Sequence, residues 1–322
     1  MNIFKLSFLP LLFLYLSSWA QQNYPTKVVH LVVPYAAGGY YDSIARILSP
    51  RLTEMLGQNF VVENKVGGSG IIGTDYVAKA TPNGYTLIVG GIGPHSINPS
   101  LFASLPYDPV KDFSPVVLIA TSPNILVVHP KSSLRSVKEM VNYAKSKPGI
   151  LNYGSAGSGT SAHLAAAMFE VAAGVKLNHI PYKGSGPAVL AMVGGETDLL
   201  FGTAADVLQQ IKAGKLIALA VTSATRIPAL GDIPTLGEAG VPNAVAAGWY
   251  GIFAPASTPK EIIMSLNISI NKLLNVASVR DQLAVEGTAS VQGGSPEFLA
   301  SFLQTEIAKW YEVIQKSGAK AN

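Results

Sequence analysis

Cysteine is absent from all 322 residues. That excludes disulfide frameworks, thiolate nucleophiles, zinc–thiolate sites and a lipid-modified cysteine anchor. Charge is scarce: Asp, Glu, Lys and Arg together make up 13% of the chain, and only five positions are Arg. The net charge of +4 is spread without a basic stripe interleaved with aromatics, so no nucleic acid partner is expected. The five His stand scattered at 30, 95, 129, 163 and 179, with no pair at i, i+4. No G-x-S-x-G, H-E-x-x-H or G-x-x-x-x-G-K-[ST] sequence occurs. No metal, cofactor or catalytic residue is therefore expected, and an exported enzyme stands only as an alternative. Ser155, Ser158 and Ser161 lie near His163, which resembles a nucleophile with its base, but such residues at a helix start more often cap it.

Long apolar runs are missing beyond the first twenty residues. Lys5 precedes an apolar run from Leu6 to Leu16, broken by Ser7 and Pro10, and Ser18-Trp19-Ala20 offers small residues at a cleavage site. The run is short of the roughly 20 residues a membrane span needs. Residues 1–20 are thus expected to be a cleaved signal peptide, leaving a protein that diffuses freely outside the cytoplasm without a lipid anchor. A hydrophobic share of 48% gives a chain of this length a substantial core.

What is present is an alternation of strand and helix patterns. Val28 to Tyr35, Asn59 to Glu63 and Thr86 to Gly90 read as strands. Between them, Asp42 to Leu56 carries Ile44, Ile47, Leu48, Leu52 and Met55 at helical spacing, with Asp42 placed to cap it. A second helix ends near Ala80. This order predicts a mostly parallel, doubly wound sheet. The pattern restarts after Asn124, giving a second α/β unit, and three helices finish the chain: Pro259 to Leu274, Ser278 to Val285 and Pro296 to Ile314. The expected fold is α/β, with two doubly wound domains. It has a discontinuous first domain (21–122 with 248–322) and a second domain (123–247), joined by crossing strands near Ile119 to Val127 and Ala244 to Phe253. Two crossing strands form a natural hinge.

Four strand ends run into Gly/Ser loops that open helices: Pro34 to Asp42, Gly67 to Gly70, Gly154 to Ser161, and Lys183 to Pro187. Glycine lets backbone approach a ligand closely, and the helix N-terminus that follows carries partial positive charge. Together they form anion sites without Arg. Each loop alone is equally a tight βα turn. Gly68-Ser69-Gly70-Ile71-Ile72-Gly73 fits the dinucleotide spacing, but no acid ends the following strand, Thr86 to Gly91, so nicotinamide binding is not expected. Tyr35, Tyr40, Tyr41, Tyr182 and Trp249 flank these loops or the second crossing strand, either as walls of a cleft or as core and rim.

These residues resemble the Bug-type, or tripartite tricarboxylate transporter (TctC-like), substrate-binding proteins over the whole mature chain. The matching stretches include Val32-Val33-Pro34-Tyr35 with Gly38-Gly39 and Asp42, then Val61 to Lys65 with Gly67 to Gly73. They continue through Asn98-Pro99, Leu105 to Pro109, Tyr153 to His163, His179 to Gly184, Ala213 to Leu216, and Pro234-Thr235 with Glu238 to Gly240. The resemblance implies a periplasmic protein of the two-lobed, type II periplasmic-binding-protein fold that holds a small carboxylate between its lobes by main-chain groups and bridging water; a monomer is expected. It also implies delivery to a membrane permease or, in orphan members, to a signalling partner. Carried over by position, the ligand contacts are Tyr35, Gly38, Gly39, Tyr40, Gly70 and the His95 loop from the first lobe. The second lobe contributes Ser155, Gly159, Thr160, Ser161, Tyr182 and Gly202. Two departures stand out. Tyr40 follows the glycines where the family has a small polar residue, and Gly202 follows Phe201 where the family often has Asp. The expected ligand is therefore an acid without a charged amino group, with an apolar or aromatic body.

Overall fold

Four of the five residues of Val29–Val33 (β1) are buried. Such a strand is covered on both faces and suits the middle of a parallel sheet. Phe60–Asn64 (β2) and Thr86–Gly91 (β3) pair with it in parallel on either side. Parallel neighbours need crossover connections, and Tyr40–Leu56 (α1) and Ile71–Ala78 (α2) supply them. The computed structural model describes residues 24–285 and 290–320. The expected signal peptide lies outside the described residues.

Tyr40, Ile44, Leu48 and Leu52 recur every four residues on α1, and all four are buried. Gly57 ends the helix in the left-handed region (φ 72°), its N–H donating to the Thr53 carbonyl. Asp42 is not the cap that the spacing predicts, because the helix begins at Tyr40 and Gly39 caps it. From the first turn, the buried Asp42 carboxylate accepts hydrogen bonds from the Gly38 N–H and from Asn64 Nδ2, both at 3.0 Å. It also pairs with Arg46 Nε at 2.8 Å. Burial by itself would raise its pKa. The bonds from Arg46, Gly38 and Asn64 outweigh burial and lower it.

Beyond β3 the chain makes a π-helical turn, Ile92–Ile97, and a short helix, Asn98–Leu101 (α3). Neither has a periodicity that the sequence displays. Phe113–Val128 (β4) then runs for 16 residues. The second unit follows as Val137–Ser146 (α4), Asn152–Ser155 (β5), Ser161–Ala173 (α5), Asn178–Pro181 (β6), Ser185–Gly194 (α6), Leu199–Thr203 (β7), Ala204–Lys212 (α7) and Ile217–Val221 (β8). Ala247–Pro255 (β9) returns antiparallel to β4, in pairs that run from Phe113↔Pro255 to Pro123↔Ala247. From Asn124 onward β4 changes neighbours and pairs with β7 and β8. The first sheet is therefore ordered β2-β1-β3-β9-β4. The second extends from β4 through β7 to the parallel strands β5 and β6.

The chain ends in Lys260–Leu274 (α8), Ala277–Val285 (α9), Ser290–Val291 (β10) and Pro296–Ser317 (α10). α8 and α9 pack on α1, and α8 also on β4. α10 lies along β4, the π-helical turn and α5, so it touches both halves. Its Leu299, Leu303, Trp310 and Ile314 join Leu164 and Phe169 of α5 in one buried cluster. Among the described residues no single helix is long and apolar enough to cross a membrane, and no group of three His, Cys, Asp or Glu is placed to hold a metal.

Asp42→Ala is expected to cost about 2–3 kcal/mol, because two donors and a guanidinium lose a charged acceptor at once. Asp42→Asn, which keeps one acceptor oxygen, should lose less. Urea unfolding of both variants checks the order.

Candidate functional site

The Gly67–Gly70 loop carries backbone strain. Gly67, Gly68, Ser69 and Gly70 all have positive φ (140°, 54°, 55° and 87°). For glycine this is ordinary, but a serine at φ 55° costs on the order of 1–3 kcal/mol and persists only where its surroundings enforce it. Those surroundings are visible. Tyr35 Oη and Asn98 Nδ2 both donate to the Ser69 carbonyl, at 3.2 and 3.1 Å. Ser69 Oγ donates to the Ser158 carbonyl, in the other half, at 3.4 Å. Gly73, the last glycine of the dinucleotide-like spacing, serves packing: an added Cβ would come within 2.7 Å of the Lys65 carbonyl and 2.8 Å of Pro34 Cα.

From the second half, the loop after β5 meets this one. Gly159 (φ 78°) sits so close to α3 that a Cβ there would come within 2.6 Å of Leu101 Cδ2 and 3.6 Å of Asn98 Oδ1. Tyr35, Ser69, Gly70, Asn98, Ser158 and Gly159 thus converge at the seam between the halves. Tyr35 also crowds Gly70, whose added Cβ would stand 3.1 Å from the phenol. Two polar atoms at this seam, Asn98 Oδ1 and Ser158 Oγ, are buried with no protein hydrogen-bond partner. Thr160 caps α5 and donates to the Gly157 carbonyl at 2.7 Å, while Ser161 opens the helix. The Tyr182 N–H donates to the Ser155 carbonyl at 2.9 Å, which sets the fourth loop beside the third.

Several expected positions lie elsewhere. Tyr40 does not line the seam. It is 5% exposed and packs edge-on against Tyr250 with ring centroids 4.6 Å apart. The reason is register, since Tyr40 starts the buried stripe of α1, and its neighbour Tyr41 is the residue that meets Tyr35 (4.6 Å). The Gly38 N–H is committed to Asp42, and Gly39 serves as the cap of α1. The His95 ring turns into the core and stacks on Phe253 at 4.3 Å, fully buried, with neither nitrogen bonded to protein. Burial pulls its pKa down to about 3, so the ring is neutral.

Gly202 is a packing position. It pairs with Ile125 across β4 and β7, and an added Cβ would collide with Val207. A carboxyl is nonetheless present at this strand–helix junction. Asp206, in the first turn of α7, takes a hydrogen bond from Thr203 Oγ1 at 2.5 Å. Burial raises its pKa against the bonds from Thr203 and Ser185, which holds it toward the neutral form. The inference that Gly202 leaves the junction without a carboxyl is therefore corrected by a residue one helical turn further on.

None of these seam contacts uses an arginine. Arg46 and Arg226 pair with Asp42 and Glu238, Arg51 bonds to the Ile47 carbonyl and Gln282, and Arg135 bonds to the Pro130 carbonyl. The polar groups at the seam are neutral hydroxyls, amides and helix N-termini. Sequence reasoning missed Ser69, Asn98 and Ser158 as site residues. Ser69 was visible as the one side chain in a glycine run. Asn98 was visible as part of the Asn98-Pro99 match, but with no role attached.

Residues 44–319 match the model of the tripartite tricarboxylate transporter family receptor. The protein BugT of Bordetella pertussis is 36% identical, over 92% of this chain and 91% of BugT. Among solved structures, R. palustris Rpa4515 with adipate is 38% identical, with a TM-score of 0.87 over 93% of this chain and all of the other. MatC from Rhodopseudomonas palustris with bound malate is 33% identical, with a TM-score of 0.82 over 90% of this chain and all of MatC. The chain belongs to the tripartite tricarboxylate transporter receptor family, whose members are binding proteins and not enzymes.

Proposed function

We propose that this protein is a periplasmic receptor that captures a small amino-free carboxylate at the seam between its halves and hands it to a membrane permease. One observation carries the reading. Asn98 Oδ1 from one half and Ser158 Oγ from the other are buried without protein partners, beside a strained Ser69. Leaving such a group unpaired costs about 1–3 kcal/mol, and a polar ligand arriving between the halves removes that cost from both. The Ser158 hydroxyl donates to a carboxylate oxygen, and Asn98 Oδ1 accepts from a ligand hydroxyl or a bridging water.

Support for the ligand class comes from relatives. Rpa4515 was solved with adipate and MatC with malate, and both acids lack an amino group. A second support is Asp206, whose carboxyl burial raises above its ordinary pKa, which weakens the charge it could set against an ammonium group. The expectation of an aromatic ligand body rested on Tyr40 and loses that footing, because Tyr40 belongs to the core.

Binding would work by closure about β4 and β9. We put the domain boundaries at 122/123 and 247/248, within a residue of the point between Pro123 and Asn124 where β4 exchanges β9 for β7 and β8. Ligand contacts from both loops favour the closed arrangement by their differential affinity for it. α10, packed on both halves, limits how far they separate.

Calorimetry with adipate, malate, aspartate and glutamate is expected to show binding to at least one of the first two and none to the amino acids. Tight binding of aspartate alone would overturn the amino-free reading. Ser158→Ala should weaken binding about tenfold, the equivalent of one hydrogen bond to a charged group. Without ligand it should melt no lower than the parent chain, because it deletes a buried unpaired hydroxyl. A variant that melts lower with unchanged affinity would remove Ser158 from the site.

A further inference from the structure

Beneath the second-half loop lies a column of three rings. Tyr153 of β5 is parallel to His179 of β6 at 4.8 Å and 15°, and His179 is parallel to His163 of α5 at 4.2 Å and 4°. Each imidazole reaches the loop that it underlies. His179 Nε2 is hydrogen-bonded to Ser155 Oγ at 2.6 Å, and that oxygen in turn accepts the Gly157 N–H at 3.1 Å. His163 Nδ1 accepts the Gly159 N–H at 3.1 Å. The two rings therefore hold both ends of the Ser155–Thr160 turn.

The chemistry of these bonds sets the protonation state. An imidazole that accepts a backbone N–H at Nδ1 must carry its proton on Nε2 and must be neutral. Parallel rings at this spacing also disfavour charging both, since two positive charges would sit against each other. Burial lowers both pKa values, to about 3 for His163, where His179 adds to the effect, and to about 4 for His179. The titratable group facing the pair is Tyr153, whose phenol is raised by burial and by Glu170 on α5. Lys176 lies near Glu170. From the first half, Leu101 and Asn98 face Gly159 and bring no charge.

We propose that His163 and His179 are positioning residues, a neutral stacked pair that holds the Ser155–Thr160 loop in its ligand-receiving shape. They act through Gly159 and Ser155, and they touch the ligand only by way of that loop. The inference rests on the reading of this loop as part of the ligand site, so its test has one arm that needs no ligand.

In that arm, nitrogen-15 NMR of the ligand-free protein should show His163 protonated at Nε2 alone and not titrating near pH 6.5. Hydrogen exchange at the Gly159 amide should be slow. His163→Ala should speed that exchange at least about tenfold while circular dichroism stays native. His163→Asn, whose Oδ1 stands where Nδ1 was, should restore the protection. In the second arm, with adipate and malate as probes at pH 7, His163→Ala should weaken binding at least about tenfold and His163→Asn by no more than about threefold. Unchanged Gly159 exchange in His163→Ala, or an imidazole that titrates at its ordinary pKa, would overturn the proposal. A parent protein that binds neither acid would remove the ligand reading, and the exchange arm alone would then decide the pair.

Stability gives a further check. The unfolded chain protonates these two His below about pH 6.5, while the folded chain keeps them neutral to about pH 4 and about pH 3. The unfolded state therefore binds more protons in this window, and the melting temperature should fall as pH is lowered from 7 to 4. His163→Asn should flatten that fall. An equal slope in the variant would count against the pair.

Discussion

The antiparallel pairing of β4 with β9 is the constraint on which the rest depends. A strand of 16 residues is long enough to belong to two sheets, and β4 does so, pairing with β9 up to Pro123 and with β7 and β8 from Asn124. Sheets twist, so a strand that passes from one to the other turns the second relative to the first. That turn brings the loop after β2 and the loop after β5 face to face. Without the shared strand, Ser69 and Ser158 would be ordinary turn residues on separate surfaces.

The seam is built with little formal charge. Its polar groups are hydroxyls, an amide and backbone, oriented by strain at Ser69 and by the imidazoles beneath Gly159. Neutral donors are cheaper to bury than arginine, whose desolvation must be matched by a partner. Arg46, Arg51, Arg135 and Arg226 brace loops and helices instead.

Much of the architecture was legible in the sequence. The stripe Ile44, Leu48, Leu52 announces α1, and the β-branched Val29–Val33 announces a buried central strand, because burial imposes periods that composition must obey. The glycine loops were legible as helix-opening turns, but not the duties of their members. Gly38 serves Asp42, Gly73 and Gly202 serve packing, and Gly159 serves both a close approach and a bond to His163. Tyr40 shows the limit clearly. The cap falls at Gly39, three residues before Asp42, which puts the Tyr40 ring in the core and leaves Tyr41 against Tyr35.

The sequence by itself determined the alternation of strand and helix, the crossing strands, the family and the absence of thiol chemistry, because each of these follows from local periods, residue types or ordered motifs. Only the tertiary structure decided which polar atoms meet. Asn98 and Ser158 are 60 positions apart, and His163 and His179 lie on different elements; the chain between them carries no periodic signal of their contact. Such contacts arise where two independently patterned units are pressed together by a shared strand. The chemistry of the seam is therefore a property of that junction and of neither half alone.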